Sequence, residues 1–245
     1  MQPMATASAW MAERHAEGVT LCSVCAGAFV LAETGLIDDR RATTHWAFAE
    51  ALAERFPVVD VATHQMVIDD GDIVTAGGIL AWTDLGLTLV AKFLGDGVML
   101  ATARFLLIDP PRRDQPSYGT FLPKFDHGDA EILAVQHHIH ARCAEAQSIA
   151  EWSQLAGMTD RTFLRRFAKA TGARPTEYLQ QVRIMKARNA LELTNQSIDQ
   201  IGWSIGYADP SAFRKIFHRT TGLNPWDYRQ RFGISRGKGQ PEGGR

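Results

Sequence analysis

Arg161, Arg165, Arg166 and Lys169 fall within nine residues, and Arg214, Lys215 and Arg219 repeat the theme about fifty positions later. Guanidinium groups one helical turn apart, as at Arg161 and Arg165, can each make a two-pronged hydrogen bond to a guanine edge. Their neighbours Arg166 and Lys169 suit the gripping of phosphates, which sets register without reading sequence. A second chemical pair is Cys25 with His45, twenty residues on. A thiol served by an imidazole is the pairing of nucleophilic catalysis, and the same two groups suit a ligand contact. Cys22-x-x-Cys25 has no companion pair of cysteines or histidines at ligand spacing. His137, His138 and His140 lack a third ligand and read as solvated or core residues. No metal and no cofactor are expected.

The elements that must position the basic residues show themselves as a repeat. Ser148–Tyr178 reads SIAEWSQLAGMTDRTFLRRFAKATGARPTEY, and Ser197–Tyr228 reads SIDQIGWSIGYADPSAFRKIFHRTTGLNPWDY. The Ser-Ile openings and Gly157/Gly206 match at an offset of 49. Phe163/Phe213, Phe167/Phe217, Thr171/Thr221, Gly172/Gly222, Pro175/Pro225 and Tyr178/Tyr228 match at 50. Two copies are too few for a solenoid and mark a duplicated supersecondary unit. Each copy predicts a short helix opened by a serine N-cap, a left-handed glycine, and a second helix opened by Thr159 or Asp209. Phenylalanines four apart turn one face of that second helix to the core, which leaves the basic face outward. That is the grammar of a helix-turn-helix. The intervening PTEYLQQVRIMKARNALELT predicts one long helix, with Tyr178, Val182, Met185 and Leu191 or Leu193 as its buried stripe.

The pattern M-T-D-R-T-F-L-R-R-F…G-x-x-P-x-x-Y-L…S-I…I…G-Y-x-D-x-S-A-F-x-K-x-F…G-x-x-P-x-x-Y-R closely resembles the DNA-binding domain of the AraC/XylS family, from about His127 to Phe232. The resemblance implies that the helices starting at Asp160 and Pro210 are recognition helices. It places Arg161, Leu164, Arg165, Ser211, Arg214 and Lys215 toward double-stranded DNA.

The first half reads as alternating α/β. VTLCSV predicts a strand, AGAFVLAETG a helix ended by Gly35, and VVDVATHQMVIDDGDIVTAGG two strands around Asp70-Gly71. Trp82–Leu94 predicts a helix capped by Thr83 or Asp84, followed by another from Gly97 to Leu107. Strands interleaved with helices predict a mostly parallel sheet covered on both faces. Cys25 sits where the first strand turns into a helix, an elbow that presents a side chain near a helix N-terminus and lowers a thiol's pKa. S-V-C-A-G-A-F-V-L-A-E-T-G-L-I-D-D-R-R-A-T-T-H-W resembles the ThiJ/PfpI-like (class I glutamine-amidotransferase-like) domain, in the version fused to AraC-type domains in GlxA-type regulators. In the enzymes of that superfamily the residue matching Cys25 is the nucleophile, and His45 matches a partner. In the fused regulators the domain is thought to sense small metabolites. Three roles therefore stand for Cys25: small buried apolar residue, ligand contact, or nucleophile. The resemblance begins in mid-domain, about 80 residues in, so either a shortened product or completion of the sheet by a partner chain is expected.

Charge divides the same way. Residues 1–109 carry 6 Lys+Arg against 14 Asp+Glu, a net of −8, whereas residues 146–233 carry 13 against 7, a net of +6. A basic module on an acidic one suits a polyanion binder joined to a sensor. There is no secretory signal pattern, no run long enough to cross a membrane, and three cysteines without a disulfide pattern; a cytoplasmic, reducing setting is expected. The expected fold class is α/β plus all-α: a partial flavodoxin-like parallel α/β sheet domain over 1–109, a linker over 110–126, and an all-helical domain with two helix-turn-helix units over 127–233. A disordered tail is expected over 234–245. The expected function is sequence-specific transcription regulation, with a small-molecule effector, RNA polymerase and a second copy of the chain as candidate partners, and no membrane. The alternative is a cysteine-dependent hydrolase or amidase acting through Cys25.

Overall fold

The computed structural model describes residues 3–111 and 114–234. The chain divides into two compact units, with the boundary after residue 119. The expected disordered tail falls, past residue 234, outside the described residues.

The first unit opens with α1 (Ala5–Ala16), β1 (Leu21–Val24) and α2 (Gly27–Ala32). The short β2 (Arg41–Ala42), α3 (Ala49–Arg55) and β3 (Asp60–Val61) follow. A hairpin of β4 (Val67–Asp69) and β5 (Ile73–Ala76) leads to α4 (Trp82–Leu94) and α5 (Asp96–Leu106). The sheet runs β1-β5-β4. β1 lies parallel to β5, with Leu21 opposite Ile73 and Val24 opposite Ala76. β4 and β5 are antiparallel, because the chain reverses at Asp70-Gly71 with Gly71 at φ 88°. The strand pairing is thus mostly parallel as expected, β1–β5 and β2–β3, with the one antiparallel strand pair at the β4–β5 hairpin among the described residues. All four residues of the central strand β5 are buried, as a fully covered strand with an apolar run requires. Leu21, Phe29, Leu31, Ile37, Leu52, Val59 and Ile73 form the main core.

Neither Thr83 nor Asp84 caps α4. The cap position is Ala81, at the end of a 3₁₀ turn (Ile79–Ala81) that leads straight into the helix and makes a side-chain cap unnecessary. Asp84 lies inside the helix and is buried.

The second unit is helical: α6 (Ala130–Ala141), α7 (Ile149–Leu155), α8 (Asp160–Thr171), α9 (Pro175–Leu193), α10 (Ile198–Ser204), α11 (Pro210–Thr221) and α12 (Pro225–Phe232). The local grammar forms as expected. Ser148 and Ser197 close capping boxes with Glu151 and Gln200, and Thr159 and Asp209 accept from the first turns of α8 and α11. Gly172 and Gly222 end those helices at φ 75°, and Pro175 and Pro225 open the next ones. The buried, half-buried and exposed positions along 161–170 recur in the same order along 211–220.

Two cores share α9. Its first half gives Tyr178, Leu179 and Val182 to a core with Phe163 and Phe167; its second half gives Ile184, Ala187 and Leu191 to a core with Phe213 and Phe217. A single apolar stripe was expected on this helix. Serving two cores instead moves the buried set to Ile184 rather than Met185, which is half-buried; of the alternatives Leu191 and Leu193, Leu191 is the buried one.

Gly206 shows how closely the turn of the second copy is packed. It sits at φ 90°, and a Cβ there would lie 2.4 Å from the Ala144 carbonyl oxygen; at Gly157 no atom lies within 4 Å. Gly206→Ala is expected to destabilise this unit by about 2–4 kcal/mol, from strain plus steric clash. Gly157→Ala, with strain alone, should cost about 1–2 kcal/mol. Urea titration of both variants measures the difference, and equal losses would refute the steric account.

Candidate nucleic-acid interface and ligand site

On α8 the buried Phe163 and Phe167 point inward, so geometry sends Arg161, Leu164, Arg165 and Lys169 outward, all four exposed. On α11 Phe213 and Phe217 do the same for Ser211, Arg214, Lys215, His218 and Arg219. Arg161, Arg165, Lys169 and Lys215 have no ion-pair partner among the described residues. Their charge is free to meet an incoming anion. Arg161, Leu164 and Arg165 line a cleft of about 770 Å³, together with Ala168, Arg174 and Thr176. Arg174 was not singled out from the sequence. It lies outside the repeated basic face, at the position preceding the proline of α9, and only folding brings it beside Arg165.

Arg166 behaves differently. Its Nε and Nη2 donate to Asp129 at 2.9 and 2.7 Å, and Nη2 also reaches Glu131 at 2.8 Å. Asp129 in turn is the N-cap of α6, accepting from the Ile132 amide at 3.1 Å. Arg166 thus ties α8 to α6, a scaffolding contact that its basic neighbours on α8 do not make. Arg214 is likewise engaged, with Nη2 2.5 Å from Asp199 Oδ1 on α10. Both members of this second pair are exposed, so the pair is weak and can open. Ser211 offers its hydroxyl outward while its amide donates to Asp209 at 2.8 Å.

In the first unit Cys25 stands at φ 54°, left-handed backbone that a non-glycine residue rarely adopts. Its amide donates to the Ala76 carbonyl at 2.9 Å, and its carbonyl accepts from the Thr44 hydroxyl at 2.9 Å. This sharp turn is the strand-to-helix elbow. His45, next to Thr44, accepts from the Ala47 amide through Nδ1 at 3.1 Å. A cavity of about 270 Å³ is lined by His45, Trp46, Met66, Leu80, Gln115 and Tyr118, among others, but not by Cys25. No hydrogen bond joins the Cys25 thiol to His45 among the described residues. The two residues are brought to one end of the sheet without being paired.

Gln115 was missed because it lies in a proline-rich segment read as connecting chain. It is 2% exposed. Its amide donates to Thr43 Oγ1 and to the Thr44 and Gln65 carbonyls at 2.8–3.0 Å, and its oxygen accepts from the Trp46 amide at 3.0 Å. These bonds lock the loop that carries His45. A Cβ at Gly77 would lie 2.5 Å from the Gln115 side chain, so the site requires glycine there.

Residues 152–231 match the helix-turn-helix domain family, and residues 2–92 match the DJ-1/PfpI family. The chain thus joins a DJ-1/PfpI segment to an AraC-type helix-turn-helix domain. It is similar to the HTH-type transcriptional regulator GlxA of Rhizobium meliloti, 29% identical over 88% of this chain and 67% of the relative. It is also similar to the HTH-type transcriptional regulator CdhR of Pseudomonas aeruginosa, 27% identical over 88% of this chain and 64% of the relative. The chain spans about three-fifths to two-thirds of the length of these relatives. A crystal structure of the DNA-binding domain of AdpA with a target DNA matches 42% of this chain and 91% of that one, at 32% identity and a TM-score of 0.38.

The Arg166 tie makes stability depend on pH. Hydrogen bonds from Arg166 hold the Asp129 carboxyl below its ordinary range. A carboxylate with a depressed folded-state pKa stabilises above its unfolded value of about 4 and loses that contribution as pH falls through the folded value. Asp129→Asn should therefore flatten the acid limb of the second unit's stability between about pH 5 and pH 2. Chemical denaturation at a series of pH values checks this, and an unchanged acid limb would show that the tie carries no weight.

Proposed function

We propose that this chain is a sequence-specific DNA-binding transcription regulator. The observation that carries the reading is the repeated recognition helix, with the same inward phenylalanines in both copies and outward basic residues at 165/215 and 169/219 in each. In this reading α8 presents Arg161, Leu164, Arg165 and Lys169, and α11 presents Ser211, Arg214 and Lys215. Residue types differ between the two, so each helix reads its own bases. The 19-residue α9 is about 28 Å long at 1.5 Å per residue, close to the ~34 Å of one DNA turn, which suits entry into successive major grooves. The similarity to named transcription regulators over most of the chain supports the same reading.

The first unit acts as the regulatory domain. Its cavity beside His45 takes a small metabolite, with Cys25 shaping the elbow behind it rather than attacking a substrate. The lack of a hydrogen bond between the thiol and the imidazole supports binding over catalysis. RNA polymerase and a second copy of the chain are the protein partners in this reading. Its setting in this reading is the cytoplasm; among the described residues no helix is long and apolar enough to cross a membrane.

Selection of random DNA by the purified chain should yield a defined motif. Arg165→Ala should weaken binding by roughly 1–3 kcal/mol and relax one base position, without loss of stability. Arg166→Ala should instead lower the melting temperature and leave the selected motif unchanged. Uniform, salt-sensitive binding with no motif would reduce the chain to a phosphate binder.

A further inference from the structure

We propose that Asp199 positions Arg214 to read a guanine, a device built into the second helix-turn-helix and absent from the first, where Leu164 meets the methyl group of a thymine. This assignment rests on the regulator reading, to which it adds the bases taken by each helix. The two copies differ here in a paired way. Leu164 of α8 corresponds to Arg214 of α11 at the offset of 50, and Ala150 of α7 corresponds to Asp199 of α10 at the offset of 49. Ala150 and Asp199 are each the second residue of their helix. The same two places therefore hold two apolar residues in one copy and an ion pair in the other.

In the second copy Arg214 Nη2 donates to Asp199 Oδ1 at 2.5 Å, while Nε and Nη1 have no partner among the described residues. Nη2 keeps its second hydrogen, so Nη1 and Nη2 can still present a two-pronged donor pair. That fork fits the O6 and N7 acceptors of guanine. An untethered arginine gives up rotamer freedom on binding and can turn to a phosphate instead. A carboxylate holding one nitrogen reduces both losses. The pair is weak in open water, but its charge-assisted bond strengthens where a groove excludes water. Capping does not account for Asp199, because Ser197 and Gln200 close the capping box of α10 without it. In the first copy Ala150 offers no carboxylate, and the neighbouring Glu151 is held by Ser148. Leu164 is 37% exposed and stands on the outward face with Arg161 and Arg165. It has nothing to donate or accept, and its apolar counterpart in the major groove is the thymine methyl.

Selection of random DNA by the full chain and its variants is the test. The wild-type motif is expected to carry a thymine in one half and a guanine at the corresponding place in the other. Arg214→Ala should erode that guanine preference roughly tenfold, and Asp199→Ala about three- to tenfold, both at the same single position. Asp199→Ala should at the same time strengthen binding to non-cognate DNA, since a carboxylate leaves the basic face. A merely structural role for Asp199 would weaken both. Ala150 and Leu164 are exposed, so exchanging them disturbs no core. Leu164→Arg should lose the thymine. Adding Ala150→Asp should then install a guanine there, about three- to tenfold above Leu164→Arg alone. A guanine unmoved by Asp199→Ala, or a double exchange no more selective for guanine than Leu164→Arg, would overturn the proposal and leave the regulator reading standing. A wild-type chain that selects no motif would overturn both.

Discussion

The second unit depends on one repeated contact, the packing of two phenylalanines of each recognition helix against the tyrosine of the helix that follows. Phe163 and Phe167 have centroids 5.5 Å apart, and Phe167 meets Tyr178 edge-on at 5.3 Å and 88°. Phe213, Phe217 and Tyr228 reproduce this at 5.7 Å, then 5.2 Å and 85°. Edge-to-face rings in a close-packed core resist rotation of the helix about its own axis. That resistance has a functional consequence. With the phenylalanines fixed four residues apart, positions one and two further on are forced outward, and these are where Leu164, Arg165, Arg214 and Lys215 stand. Each tyrosine also has a polar tether: Tyr178 accepts from Gln136 and sits 3.0 Å from His140 Nε2, while Tyr228 donates to Glu192 at 2.6 Å. The tethers differ between copies where the aromatic packing does not.

The helix α9 turns two such modules into one body. Arg183 donates to the Cys143 carbonyl at 2.7 Å and Lys186 to the His140 carbonyl at 2.7 Å, satisfying groups at and just beyond the end of α6. Arg183 also lies over the Tyr207 ring at 5.3 Å, so one side chain binds the turn of the second copy to the end of α6. Further along, the buried Arg188 lies over Tyr228; desolvation lowers its pKa, and the nearby Tyr228 and Glu192 oppose that effect. A cation is buried only where such groups compensate it. The two recognition helices are therefore held by one stiff element, and their spacing is a property of α9 rather than of a loop.

What could be read in the sequence follows from the range of the forces involved. Caps, glycines, first-turn prolines and phenylalanine spacing act within a few residues, and those elements formed as the spacing predicted. Arg166 looked like its neighbours because its partner, Asp129, lies 37 residues away. Gln115 looked like linker because its acceptors lie about 50 to 72 residues away, where nothing local marks them. On α9 the apolar pattern was misread in detail because one helix faces two cores, and a single-stripe expectation averages over both. At the ligand site the elbow at Cys25 was legible from the strand-then-small-residue pattern. The separation of Cys25 from the cavity was not, since it depends on how Trp46, Leu80 and Tyr118 fold around His45.

The acidic character of the first unit bears on how regulation can work. A region of net −8 is repelled by DNA, so binding energy is concentrated in the second unit, where the outward faces of two helices supply the cations. In the proposed reading a metabolite binds beside His45 in the first unit, whereas the cations belong to the second. The loop that carries Trp46 and His45 is clamped by Gln115, and Leu80 joins that cavity wall to the start of α4, whose far end adjoins α5. Such a metabolite can alter DNA affinity only to the extent that it binds the DNA-competent arrangement more tightly than the alternative.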